Sequence, residues 1–140
     1  MIKDVIITVK GMQGIDGESD TVELTTEGRF GENDGKYFLS YEEGQLMDSA
    51  TVKTKIFINS PTSVVLTRKG DIESRMEIEE GQRKSCFYST PIGKICIGIY
   101  GESVDFDLND NGGKIKLVYT LDSDLKVISR NEVEITVKEV

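Results

Sequence analysis

The residue whose type and place point most directly to chemistry is Arg68. It follows Val64 and Leu66 in a run where every second side chain is apolar, so in a strand all three share one face. An unpaired charge on a buried face costs several kcal/mol. One way out is a position at the strand's end, with the head in water or on a surface carboxylate. The other is an inward guanidinium at the mouth of a barrel, holding a carboxylate or phosphate through its planar fork. That would set one fixed charge in an apolar cavity, the usual make-up of a small-molecule site.

Tyrosines supply the second hint. Tyr37 and Tyr41 share a face with Leu39, Tyr88 continues the face of Cys86, and Tyr119 continues that of Ile115 and Leu117. Buried phenols need hydrogen-bond partners, so several on one interior form a polar network, a ligand lining or plain core filling. Residues 35–43 are apolar on both faces, because Phe38 and Ser40 oppose Tyr37 and Leu39. The inward face there stays open, and in one of the two registers Glu42 becomes a partner for Arg68. The expected ligand-binding set is Arg68, Tyr41, Tyr119, Tyr88 and Glu42, with Arg68 near an opening and within reach of Tyr41, Tyr119 or Glu42.

Other chemistry finds less support. The chain has no histidine, hence neither the commonest general base nor the commonest transition-metal ligand. Cys86 and Cys96 flank the Thr90-Pro91-Ile92-Gly93 turn. Matching apolar faces sets Cys86 against Ile97 and Phe87 against Cys96, so the thiols point to opposite sides and no disulfide forms. Neither has a neighbour that would make it a reactive thiolate. The acidic runs Asp105/Asp107/Asn109/Asp110/Asn111 and Asp122/Ser123/Asp124 lack the spacing and terminal glutamate of a calcium loop. No phosphate loop, nucleophile elbow or dinucleotide fingerprint occurs. No catalytic residue, metal or cofactor is expected.

The elements that must position these residues follow from an alternation that runs through most of the chain. Val22/Leu24/Thr26/Gly28/Phe30 lie on one side, and the period returns at Val52/Thr54/Ile56/Ile58, Val104/Phe106/Leu108, Ile115/Leu117/Tyr119/Leu121 and Val133/Ile135/Val137. Only strands give that period. Strands are expected at 2–10, 20–31, 35–43, 49–59, 62–69, 73–80, 84–90, 93–100, 102–109, 113–121 and 126–138, the last broken or whole. Gly-bearing turns such as Asp110-Asn111-Gly112-Gly113 and Tyr100-Gly101-Glu102 separate them. Residues 43–49, with Leu46 and Met47 in a polar setting, form the one long connection. Turns about every ten residues make a meander, and no segment is available for a parallel crossover. The fold class is all-β: an antiparallel meander closed into a calycin- or lipocalin-like barrel, since closure removes sheet edges. A Greek-key sandwich is the alternative. Leu24, Ile56, Leu66, Ile97, Phe106, Leu117 and Ile135 are expected to point inward.

At 140 residues the chain is read as one domain, 1–140, able to bury a core without staples. Seventeen Lys and Arg against 25 Asp and Glu give a formal charge of −8. That balance argues against nucleic acid and against anionic membrane surfaces. The opening MIKDVIITVK reads as neither a signal peptide nor a membrane span, and a cytoplasmic setting with reduced thiols follows.

The segments Gly35-Lys36-Tyr37-Phe38-Leu39-Ser40-Tyr41-Glu42-Glu43, Leu66-Thr67-Arg68-Lys69-Gly70, Tyr88-Ser89-Thr90-Pro91-Ile92-Gly93 and Asn111-Gly112-Gly113-Lys114-Ile115 through Tyr119-Thr120-Leu121 resemble the YwiB family of small bacterial proteins. The resemblance runs from VIITVKG to EVEITVKE. It implies a calycin-like barrel and a family without an established activity, and it carries over no catalytic residue. The leading function class is non-catalytic binding of a small amphipathic or anionic ligand. A protein-interaction module, as a homodimer using a sheet edge or the Leu46-Met47 loop, comes second, and an enzyme third.

Overall fold

The alternation builds ten strands in the computed structural model, which describes residues 2–15, 18–43, 52–70, 73–90, 93–123 and 125–140. They are β1 (Ile2–Ile15), β2 (Glu18–Asn33), β3 (Lys36–Glu43), β4 (Val52–Ser60), β5 (Ser63–Gly70), β6 (Glu73–Glu79), β7 (Arg83–Thr90), β8 (Gly93–Asn109), β9 (Gly112–Ser123) and β10 (Lys126–Glu139). Each pairs antiparallel with its neighbours in chain order, and β10 returns to β1, closing a barrel. No helix occurs among the described residues.

Inward side chains fill the barrel. Ile7, Leu39, Ile56, Ile78, Ile99 and Ile115 are fully buried, and each belongs to the apolar parity of its strand. Of the expected core, Ile56, Leu66, Leu117 and Ile135 are buried, while Leu24 and Phe106 pack half-buried against the cluster. Ile97 is half-buried and faces the buried Cys86 across the β7–β8 ladder. That same ladder pairs Phe87 with Cys96. Cys86 is buried, Cys96 is exposed, and both are free. In β3 the open question of parity resolves toward Leu39 and Tyr41 inside, with Glu42 exposed.

Two boundaries depart from the sequence reading. β1 runs on to Ile15 instead of stopping at Lys10, its glycines pairing with β2 and β10 like any other residue. Residues 93–109 form one strand, with no turn at Tyr100-Gly101-Glu102 but a bulge between Gly101 and Ser103. Gly101 serves close approach: a Cβ there would collide with the Glu79 carbonyl. The turn after β6 lies against it, with Gly81 N–H donating to Gly101 O (2.8 Å) and Gly101 N–H to Gln82 O (3.2 Å).

The wall is not uniform. β6 and β7 pair only at Glu73↔Ser89 and Ser74↔Tyr88 among the described residues. From Arg75 and Phe87 onward the two strands part, although each keeps its other neighbour.

Candidate functional site

Cross-strand register gathers the polar inward residues into a row. Tyr41 pairs with Thr54, Thr54 with Arg68, Arg68 with Ser74, and Ser74 with Tyr88. Directly paired residues hold their Cβ atoms about 4.5–5.5 Å apart, so Arg68 has Thr54 on one side and Ser74 on the other. Thr54 is fully buried, Tyr41 and Ser74 nearly so, and Arg68 half-buried. The Tyr88 side chain lies outside the described residues, as do Leu46 and Met47.

The other expected members lie elsewhere. Tyr119 is buried in the core on β9, paired with Gly101 and Asn131 and absent from the row. Its neighbour Asn131 donates to Ser129 Oγ at 3.1 Å, a buried polar pair. Glu42 falls on the outer face, one residue out of phase with Tyr41. It borders a separate groove of about 480 Å³ with Arg29 and Lys53. The register thus places Tyr41 and Arg68 in one inward row and Glu42 on the outer face.

Arg68 and Ser74 also border a groove of about 600 Å³, open to solvent. Thr67, Lys69, Glu73, Arg75, Phe87, Ser89 and Lys94 complete its lining among the described residues. The groove sits where the β6–β7 ladder ends, since Arg75 and Phe87 are the next residues past the last pair. Four cations and one carboxylate line it, in a chain of net charge −8. Phe87 is 64% exposed, an apolar surface beside the charges. The Ser74 hydroxyl is buried and has no hydrogen-bond partner among the described residues.

Sequence reasoning missed Ser74, Lys69, Arg75, Phe87 and Lys94. Ser74 carried a faint signal, a hydroxyl on the parity of Met76 and Ile78. The others lie on outer faces of separate strands, and only register brings them together.

The remaining titratable groups have structural duties. Asp122 accepts a two-pronged bond from Arg83, Nε to Oδ2 at 3.0 Å and Nη2 to Oδ1 at 2.6 Å. That fork, together with the Leu125 N–H, holds its carboxyl below the usual range against the effect of burial. Asp110 accepts from the Tyr37 hydroxyl at 3.1 Å, and Tyr37 stacks on Phe30 with centroids 5.3 Å apart. Burial and then the Asp110 bond push the Tyr37 phenol up. Burial likewise pushes up the Cys86 thiol, with the Arg75 backbone opposing it, which leaves the thiol unreactive. No cluster of three or more His, Cys, Asp or Glu placed to hold a metal occurs among the described residues. No helix there is long and apolar enough to cross a membrane.

A ten-strand antiparallel meander barrel with a cation-lined groove describes a class of scaffold. Residues 7–135 match a family model described as a domain of unknown function, DUF1934, and the chain belongs to that family. Among its relatives is the uncharacterized beta-barrel protein YwiB of Bacillus subtilis (strain 168), 25% identical over 117 residues, which are 84% of this chain and 80% of the relative. The crystal structure of the ywiB protein from Bacillus subtilis matches at a TM-score of 0.89 and 22% identity, covering 99% of this chain and 93% of the other. The shared fold is therefore that of an uncharacterised barrel.

Proposed function

We propose that this protein is a non-catalytic, cytoplasmic binding protein for a small amphipathic anion, held where Arg68 meets the parting of β6 and β7. The observation that carries this reading is the convergence of Arg68, Lys69, Arg75 and Lys94 on one groove beside an exposed Phe87. The apolar ring offers burial for the rest of the ligand, and a mixed lining of this kind is usual for small-molecule sites. Two free cysteines agree with a reducing compartment.

Native mass spectrometry of protein purified from its own host tests this directly. A co-purifying small mass is expected on the wild type, lost from Arg68→Met and weakened in Arg68→Lys, because an ammonium cannot reproduce the planar fork. A bound mass indifferent to both substitutions would place the ligand elsewhere.

A second reading, a homodimer without ligand, draws on exposed apolar side chains at the start of β10, namely Val127 and Ile128, next to the exposed Leu125. A ligand-free dimer in the same spectrum would favour it.

A further inference from the structure

We infer that the open edge of β2 takes up an extended strand from a partner protein, one whose side chains alternate between Lys or Arg and apolar residues. Closure does not cover every strand along its whole length. β3 pairs with β2 only from Gly28↔Tyr41 to Asn33↔Lys36, whereas β1 pairs with it from Ile2↔Gly31 to Ile15↔Glu18. Among the described residues, 20–27 therefore pair on the β1 side alone, and their alternate N–H and C=O groups point away from that ladder. A row of such groups is a template for another strand. The stretch goes beyond the binding reading above and shares no residue with its groove.

The devices that blunt an edge are few here. Residues 20–27 include no Lys and no Pro, and the β1–β2 register runs without a bulge. Strand addition takes affinity from the main chain and specificity from alternate side chains, so the two faces of the stretch describe the partner. Thr21, Glu23, Thr25 and Glu27 share the outer face and are exposed. On the β1 side Glu23 has Lys10 across from it, but Glu27 has Ile6. A cation on an incoming strand would give Glu27 the opposite charge it lacks across the ladder, the favourable cross-strand arrangement. Val22 and Leu24 share the other face. Val22 is 58% exposed and Leu24 half-buried against the core, which leaves apolar surface for apolar side chains of the incoming strand. A second copy of β2 fits less well, because it brings Asp20, Glu23 and Glu27 to an edge that has no cation of its own.

Hydrogen–deuterium exchange of the full chain, with and without a synthetic octapeptide of alternating Lys and Val, tests this. In the free protein every second amide of residues 20–27 is expected to exchange fast. The peptide should slow those amides about tenfold or more and leave residues 75–79, at the β6–β7 parting, unchanged. The same peptide N-methylated throughout keeps its charge but cannot complete a ladder, and it should bind at least about tenfold more weakly. Glu23→Gln combined with Glu27→Gln, both at exposed positions, should weaken the unmodified peptide about fivefold, the size expected of exposed ion pairs. A peptide of alternating Glu and Val should not bind. Equal binding by the N-methylated peptide would reduce the contact to charge alone and overturn the inference. So would protection confined to residues 75–79, or amides at 20–27 as slow in the free protein as those of β1. Slowing that grows with protein concentration without any peptide would make a second copy the occupant and overturn the assignment to a basic partner.

Discussion

β1 and β10 meet along a ladder from Val5↔Glu139 to Gly14↔Arg130, whereas β6 and β7, joined by a short turn, pair only at their far end. Nearness in sequence should favour the hairpin, since closing a short loop costs less entropy than closing a long one. The side chains explain the reversal. At the first seam Ile7 and Val9 meet Val137 and Ile135, apolar inside at its centre. At the second, Lys84 shares the inward parity of Cys86 and faces Ile99 across the β7–β8 ladder; continuing the β6–β7 register past Ser74↔Tyr88 would close Ile78 over its other side. A charge there would be buried beside an isoleucine. Instead the strands part, and Lys84 Nζ lies 3.6 Å from Glu77 and 3.9 Å from Glu79. Arg83 is held away from β6 as well, its fork to Asp122 on β9 passing over Gly98, where a Cβ would strike the guanidinium. Side-chain chemistry has outweighed chain proximity.

Four changes probe this contrast. Leu117→Ala, on the fully paired side of the wall and about 1% exposed, should cost about 2–5 kcal/mol in urea unfolding. A loss below roughly half a kcal/mol would be incompatible with its place in the core. Next comes Gly101→Ala, which drives a methyl into the Glu79 carbonyl. The turn after β6 must lift away, at a cost of about 1–3 kcal/mol as for overpacking elsewhere, and amide exchange should rise at residues 80–82.

Asp122→Asn should then cost about 1–2 kcal/mol at neutral pH, the range of a charge-assisted bond reduced because Arg83 is partly exposed. Its pH dependence has a definite sign. The folded carboxyl titrates below its unfolded value, so the fork's contribution is present above the unfolded carboxylate pKa of about 3.9. It is lost as pH falls through the lower, folded value. The gap between wild type and variant should begin to narrow at about pH 4 and close below the folded value, and a gap that does not narrow on acidification would mean that the fork does not carry the difference. Smallest is Lys84→Val, which removes the charge that keeps the seam apart. A gain of about 1 kcal/mol from the added apolar burial is expected, with slower amide exchange at residues 75–79. Unchanged exchange would put the cause of the parting elsewhere.

Much of the barrel was legible because its signals are local. Period-two alternation fixed strand type and inward parity, and the short β7–β8 hairpin let the facing of Cys86 and Cys96 follow from four residues of turn. Gly101 misled because a glycine between apolar runs reads as punctuation, while its partner, the Glu79 carbonyl, lies outside any local window. The strand read at 2–10 stopped short of Gly11 and Gly14, through which β1 continues. For the candidate site, the parity of Arg68 was readable from Val64 and Leu66. Glu42 was misplaced because 35–43 offers apolar residues on both faces. Arg75, Phe87 and Lys94 are surface residues of three strands, and their convergence depends on a gap that only the assembled wall contains.

The β1–β10 ladder also carries a consequence for synthesis. A ring whose first strand is completed by its tenth cannot shut until β10 has emerged. Until β10 appears, β1 and β9 both present rows of unpaired amides and carbonyls, the kind of edge that recruits strands from other molecules. Contacts between such distant positions also slow folding. The nascent protein should therefore be most prone to aggregation just before β10 emerges, and a chaperone that shields exposed strands would act on it in that interval.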